Sequence, residues 1–471
     1  MKKQDIINEL KVDKLIFGGK GLGVLPDGVK VIISGGVIPG STISARVLKC
    51  KTTFVEAQML ETIVPSPYER PVPAPYEVYP GAKWITIDYD KQLEIKADQI
   101  KEAFHTLKDE VIGAVWHPIV ASHDLYGYRN KVEFSFGKYI SEREGVHDEF
   151  RFGFHEQGSY DRILNFNYCA LASERVNEIV KLAEGFARSS GFETYDPKRH
   201  EGFFRHLVVR EGKRTDEMML IWSVNPPPAI SKELFREFQG KLLAWFDDVK
   251  KTRSYLTDLI LLENNSKADI VTGEVNILSG DGVIHEMLLE KTFAIRPKSF
   301  FQVNTYTAER LYSVVRSMIR SPGGTLLDLY AGTSTIGIIL SDLYDHVVSV
   351  ELVASATEDA RINATLNGVE NLEIVNAKVE EYLVTAMENK IKANTLIIDP
   401  PRDGMHPDAL ETIAKFAASE IIYVSCNPAT LTRDLEYLLR NTPYTLTDIT
   451  PVDMFAHTHH IECVVRLELK K

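Results

Sequence analysis

The chain is poor in cysteine. Its 471 residues hold four, at positions 50, 169, 426 and 463, with no C-x-x-C pair among them. That spacing excludes a disulfide framework and fits a reducing, cytoplasmic location. No apolar run long enough to span a bilayer occurs, so no membrane partner is expected. The N-terminal Met1-Lys2-Lys3-Gln4-Asp5 leads into mixed polar residues rather than the apolar core of a signal peptide. A G-x-G-x-x-G fingerprint and a phosphate-loop lysine are both missing, which disfavours phosphate cradling. Excess positive charge is missing too: the net charge is −12. Residues 1–64 run against that balance, with nine Lys and Arg against six Asp and Glu, and a local basic face can serve RNA even in an acidic chain.

What is present divides into three regions. Residues 1–64 read as short strands broken by Gly18-Gly19-Lys20-Gly21, Asp27-Gly28, Gly35-Gly36 and Pro39-Gly40, a spacing that predicts a small β-barrel. The proline-rich stretch 65–75 reads as a linker. Leu93, Ala97, Ile100, Phe104 and Leu107 recur at helical spacing, so 90–108 is expected to be an amphipathic helix. From 125 to about 290, β-like and helical stretches alternate, giving a central α+β domain over 65–289. Within it, 205–210 and 218–222 flank Glu211-Gly212-Lys213-Arg214, a hairpin whose basic tip is a candidate phosphate contact. From 290 to 471 short apolar strands at 325–330, 346–351, 395–399 and 420–425 alternate with helices, the pattern of a doubly wound, Rossmann-like α/β domain.

Chemistry concentrates at the ends of those strands. Thr325 to Tyr330 runs into Ala331-Gly332-Thr333-Ser334-Thr335, a strand, a glycine-containing turn and a helix start. The next strand ends at Glu351, 23 residues after Asp328, where a carboxylate can accept from the ribose hydroxyls of an adenosine. Asp399-Pro400-Pro401-Arg402 follows a third strand, and the prolines fix the backbone beside the acid. Cys426 closes a fourth, in Ser425-Cys426-Asn427-Pro428, and Glu462 follows 36 residues later. A thiol and a carboxylate suit addition to an unreactive ring carbon and later removal of its proton.

With these residues in hand, the chain resembles the RNA 5-methyluridine methyltransferases, the uracil-C5 enzymes of ribosomal and transfer RNA. Ser299-Phe300-Phe301-Gln302-Val303-Asn304, the Asp328 to Gly337 loop, Asp399-Pro400-Pro401-Arg402, Ser425-Cys426-Asn427-Pro428 and His460-Ile461-Glu462 occur in that family's order. The resemblance implies a class I methyltransferase domain over 290–471, an N-terminal barrel similar to TRAM (OB-like) RNA-binding domains, and a central domain that binds RNA. It implies S-adenosylmethionine as cofactor, contacted by Gln302, Tyr330, Glu351 and Asp399. Cys426 would be the nucleophile, Glu462 the base, and Phe300 a stacking partner of the target uracil. A monomer acting on RNA is expected, with ribosomal RNA favoured by the basic N-terminal segment and transfer RNA as the alternative.

Two departures stand out. Ser334 occupies a loop position where the family often has glycine; serine is small enough to be tolerated. Many members carry an iron–sulfur cluster on four cysteines, and three of those positions read here as Pro73, Tyr79 and Ala82, leaving Cys169. One thiolate cannot hold a four-ligand cluster, so no cluster is expected; Tyr76, Val78, Tyr79 and Trp84 are expected to fill the space. The loss keeps open a catalytically inactive RNA-binding assembly factor. An amino-methyltransferase reading uses Asp399-Pro400-Pro401 but leaves Cys426 and Glu462 idle.

Overall fold

The computed structural model describes residues 1–76, 81–141, 145–156, 158–226 and 230–470, and folds into two compact units. One comprises Met1–Leu125, Arg310–Leu329 and Val379–Lys471; the other comprises Tyr126–Glu309 and Tyr330–Lys378.

In the first unit, residues 6–64 form six strands in the order Ile6–Lys11, Thr42–Cys50, Phe54–Val64, Lys30–Ser34, Lys20–Val24, Lys14–Ile16. The order has two ends, so the six strands are described as a sheet and the expected small barrel is not confirmed. Alternation puts Val31, Ile33, Ile43, Ala45 and Val47 on its buried face. Trp84, Ile87 and Ile95 complete that core, from beyond the sheet. The proline-rich stretch is anchored to it: Ser66 is buried and its hydroxyl donates to the Pro39 carbonyl at 2.6 Å. Ala82 and Trp84 are buried and Tyr76 is half-buried, while Val78 and Tyr79 lie outside the described residues.

The helix Tyr89–Ala103 follows, capped by the Asp88 side chain, and a 3₁₀ turn at Phe104–Leu107 continues it. Its buried face overlaps the expected one: Ile100, Phe104 and Leu107 are buried, but Leu93 and Ala97 are half-buried and Gln92, Ile95, Lys96 and Gln99 are buried beside them. Polar partners on neighbouring segments make that exchange affordable, as the site shows below.

The same unit holds six strands of a mixed sheet in the order Thr325–Leu329, Thr395–Ile398, Glu420–Ser425, Glu462–Leu469, Tyr444–Val452, Val115–Trp116. The first three are parallel, and near-continuous apolar runs such as Ile421-Ile422-Tyr423-Val424 are buried, as parallel strands covered on both faces require. Glu462–Leu469 runs antiparallel to Glu420–Ser425.

In the second unit a seven-stranded sheet carries an aromatic core that includes Phe134, Phe136, Phe152, Phe204 and Trp222. The expected hairpin is present as Phe204–Gly212 and Glu217–Val224. Its basic tip is engaged internally: Lys213 Nζ bonds Glu211 at 2.5 Å and the Gly127 carbonyl at 2.9 Å, and the Arg214 guanidinium meets both oxygens of Glu309 at 2.6 and 2.5 Å. Both cations of the candidate phosphate contact thus have partners within the fold. This unit also contains the parallel pair His346–Glu351 and Leu372–Asn376. Among the described residues no helix is long and apolar enough to cross a membrane.

Candidate active site

The strand Glu420–Ser425 is buried throughout, and the chain turns immediately after it because Asn427 caps a helix, Pro428–Asn441, that begins on proline. Cys426 is the residue at that turn. The antiparallel register pairs Ser425 with Cys463, so its next step sets Cys426 opposite Glu462, the first residue of its own strand. Cross-strand neighbours of this kind have Cβ atoms about 5 Å apart. Asp399 follows the strand Thr395–Ile398, which pairs with the Cys426 strand on its other side.

Charge in this corner is frustrated. Burial, then the Glu462 carboxylate, push the Cys426 thiol up to about 11; Arg402 opposes the shift and hydrogen-bonds the thiol. Burial and the neighbouring Asp399 hold the Glu462 carboxyl well above the usual carboxylate range, again against Arg402. Asp399 keeps some exposed surface as a residue, but burial of its carboxyl and the nearby Asp328 push it up to about 7. A corner holding three acidic groups therefore retains protons and favours a positive charge brought beside it.

The loop carrying Arg402 is tied down. Asn427 donates from Nδ2 to the Arg402 carbonyl at 2.9 Å while its Oδ1 caps the helix at Ala429 N, 3.1 Å away. Asp434, fully buried, accepts from Met405 N at 2.9 Å and from the Tyr423 hydroxyl at 2.8 Å. Gly404 is in the left-handed region, φ +75°, and a Cβ there would lie 2.9 Å from Thr430 Cβ and 2.8 Å from the buried Asp434 carboxylate, so both backbone and space favour glycine. The sequence named Arg402 and Asn427 without giving either a task. The helix-start pattern at Asn427-Pro428 was the available signal.

In the second unit the loop after Leu329 is wound through left-handed conformations at Tyr330 (φ +60°), Gly332 (φ +54°) and Ser334 (φ +58°). Serine is accommodated at the last because its hydroxyl bonds the Ser349 hydroxyl at 2.6 Å. Glu351 ends its strand, and its carboxylate accepts from Gly332 N at 2.9 Å and Val353 N at 2.7 Å. Two fixed donors leave the carboxylate oxygens with further lone pairs, which fits acceptance from a ribose diol. Gln302 is held through its carbonyl, which accepts from Asn130 Nδ2 at 2.9 Å, and Phe300 is 67% exposed. Gln302, Phe300, Tyr330 and Glu351 thus lie in this unit, while Asp399, Cys426 and Glu462 come together in the first. Among the described residues no group of three or more His, Cys, Asp or Glu is placed to hold a metal ion.

Comparison with known proteins gives this geometry its context. The model of the tRNA (uracil-5-)-methyltransferase family matches residues 277–470. An uncharacterised RNA methyltransferase of Chlorobaculum tepidum is 34% identical over 483 aligned residues, covering 99% of this chain and 97% of that one. Another, from Caldanaerobacter subterraneus subsp. tengcongensis, is 34% identical and covers 99% of this chain and 100% of its own. The crystal structure of the Pyrococcus abyssi tRNA (uracil-54, C5)-methyltransferase with S-adenosyl-L-homocysteine superposes with a TM-score of 0.74 at 26% identity, over 97% of this chain and 100% of that one. The chain has an α/β methyltransferase fold and belongs to the family of S-adenosylmethionine-dependent RNA uracil-C5 methyltransferases.

Proposed function

We propose that this protein methylates carbon 5 of a uridine in RNA through a covalent bond between Cys426 and the base. The observation that carries the reading is the cross-strand placement of Cys426 and Glu462 at adjoining strand ends, with Asp399 and Arg402 beside them.

S-adenosylmethionine supplies an electrophilic methyl group on a cationic sulfur. Carbon 5 of uracil is too weak a nucleophile to take it unaided. The Cys426 thiol gives up its proton to solvent, the thiolate bonds to carbon 6, and the ring electrons become an enolate with its density at carbon 5. Carbon 5 then bonds the methyl group as the methyl–sulfur bond breaks and its electron pair stays on sulfur, leaving S-adenosylhomocysteine, and still carries its hydrogen. Glu462, once it has lost its own proton and stands as the carboxylate, removes the carbon 5 proton as the carbon 6–sulfur bond breaks, which restores the ring and returns the thiolate. Arg402 favours the thiolate at the start and at the end. Glu351 and Gln302 are assigned to the adenosyl group with Tyr330 and Asp399, and Phe300, exposed and aromatic, to stacking on an extruded uracil. In domain terms, residues 1–64 and 65–289 are assigned to RNA capture and 290–471 to the reaction, in a cytoplasmic setting.

The RNA class has two supports that diverge. The basic excess of residues 1–64 favours ribosomal RNA. The likeness to the Pyrococcus abyssi enzyme favours transfer RNA, and because it runs over 97% of this chain, the N-terminal sheet does not separate the two. Unmodified ribosomal and transfer RNA transcripts offered in parallel with methyl-labelled cofactor decide the class. With RNA containing 5-fluorouridine the protein is expected to form an adduct that survives denaturation, since fluorine cannot leave as a proton. Cys426→Ala is expected to give neither adduct nor product, and Glu462→Gln to transfer one methyl and stall as an adduct on ordinary uridine. Full turnover by Cys426→Ala would falsify the covalent route. Normal turnover by Glu462→Gln would move the base to another group, such as His459 or His460.

A further inference from the structure

The segment from Asp453 to Ile461 joins the strand Tyr444–Val452 to Glu462 with no helix or strand of its own. Glu462 is the first residue of its strand, where a ladder alone constrains a side chain least. Something else must hold the segment if Glu462 is to stay opposite Cys426.

The helix Tyr89–Ala103 holds it, through residues at helical spacing on one face. Lys96 Nζ donates to Asp453 Oδ1 at 2.6 Å and to the Phe455 carbonyl at 3.1 Å, with both side chains of the ion pair fully buried. The Tyr89 hydroxyl donates to Asp453 Oδ2 at 2.9 Å and accepts from Ser122 N at 2.8 Å. Gln92 Oε1 accepts from His457 N at 2.9 Å, and its Nε2 approaches His457 Nδ1 at 3.0 Å while donating to the Trp84 and Ile87 carbonyls. His457 itself lies in the left-handed region, φ +63°, which a non-glycine residue adopts only when its surroundings fix it. Its imidazole is held neutral, at about 4, chiefly by burial and then by Lys96.

A buried Lys–Asp pair is a poor way to gain stability, because desolvation offsets most of the attraction and apolar residues pack as well. Three polar side chains on this face, converging on one loop, serve placement instead. We propose that Tyr89, Gln92 and Lys96 are positioning residues for the methylation: they clamp the loop 453–460 and thereby aim the Glu462 carboxylate at the base bound to Cys426. They touch neither substrate nor cofactor. The inference rests on Glu462 being the base.

The consequence is specific to one step. Addition and methyl transfer depend on Cys426 and should survive a loosened loop; proton removal depends on Glu462 and should not. The test compares wild type, Tyr89→Phe, Gln92→Leu, the double variant Lys96→Met/Asp453→Asn, and Glu462→Gln as reference. Each full-length protein is given methyl-labelled S-adenosylmethionine and the unmodified RNA transcript that wild type methylates. First-turnover methyl transfer, release of methylated RNA, the fraction of enzyme held as a denaturation-resistant adduct, cofactor affinity and thermal midpoint are measured.

The clamp variants are expected to transfer the first methyl within about threefold of wild type, to release product at least about tenfold more slowly, and to accumulate adduct, with cofactor affinity within about twofold. If Glu462→Gln stalls as an adduct while the clamp variants release product normally, the clamp is wrong and the base assignment stands. Loss of first-turnover transfer and cofactor binding together, without adduct, would mean a merely structural role and would also overturn it. If Glu462→Gln turns over normally, the base assignment falls and takes the clamp with it. Should the double variant fail to fold, Tyr89→Phe, which removes one hydroxyl, carries the same decision.

Discussion

Asp399, Glu462 and Cys426 compete for the same negative charge. With its thiol pushed up to about 11, Cys426 is almost wholly protonated in the free enzyme at neutral pH, and turnover waits on ionisation. kcat/KM for RNA is therefore expected to climb with pH, by about tenfold per unit between about pH 7 and 9. Arg402→Gln should lower the rate at each pH and move the rise to higher pH, since it removes the cation that opposes the shift. A pH-independent profile from 6 to 9 would count against a neutral resting thiol. Asp399 gives a stability signature with a definite sign. Its folded carboxyl is raised from 3.8 to about 7, so its favourable contribution is complete below about pH 4 and is lost as pH rises towards 7. At pH 7.5 Asp399→Asn should stabilise the cofactor-free protein by about 1–2 kcal/mol while abolishing methyl transfer, which calorimetry and a radiolabel assay can read together. Asp399 and Cys426 were legible in the sequence because each follows an apolar strand directly, and Glu462 through the motif His460-Ile461-Glu462. Arg402 and Asn427 were not, because their tasks depend on a hydrogen bond between two loops 25 residues apart. Lys213 and Arg214 misled for the same reason: Arg214's partner, Glu309, lies 95 residues away.

Among the elements, the strand Glu420–Ser425 separates chemistry from scaffolding along its length. Cys426 follows its last residue, whereas Glu420, its first, is buried and bonded to Arg466 Nε at 3.0 Å, Thr395 Oγ1 at 2.8 Å and Ser321 N at 3.0 Å. Arg466→Met leaves that carboxylate without its buried cation. It is expected to cost about 3–5 kcal/mol of stability, seen as a lowered denaturation midpoint, while folded enzyme keeps its turnover rate. A variant as stable as wild type would show the pair to be dispensable. The strands themselves were readable from short apolar runs, and the helix at 89–103 from its periodicity. Its facing was readable only in part: Ile100, Phe104 and Leu107 are buried as the stripe predicts, but Gln92 and Lys96 are buried where Leu93 and Ala97 were expected, because Asp453 and His457 supply partners that no local pattern announces.

On the scale of the whole chain, the N-terminal sheet cannot be treated as a detachable appendage. Trp84, Ile87 and Ile95 are packed into its core, Gln99 donates to the Leu15 carbonyl at 3.0 Å, and Lys14 pairs with Glu102 at 2.5 Å. Removing residues 1–64 bares those side chains beside the helix that holds the 453–460 loop. Besides weakening RNA capture through the loss of exposed Lys11, Lys20, Lys30, Lys49 and Lys51, truncation is expected to cause a drop in thermal midpoint with aggregation, measured by light scattering. A truncated chain that melts like the full one would contradict this. That the stretch 65–75 is anchored was not legible, because a hydroxyl on Ser66 and its acceptor at Pro39 are invisible to composition. The reversed direction of the strand Glu462–Leu469 also limits how this molecule can vary over time. Side chains alternate faces along a strand, so a shift of one residue against the Cys426 strand would carry Glu462 to the opposite side of the sheet. Insertions between Asp453 and Ile461 change a connection's path but leave that parity intact. A one-residue length change within the strand after Glu462 would reverse it, so viable descendants should differ in the connection and keep the strand's parity.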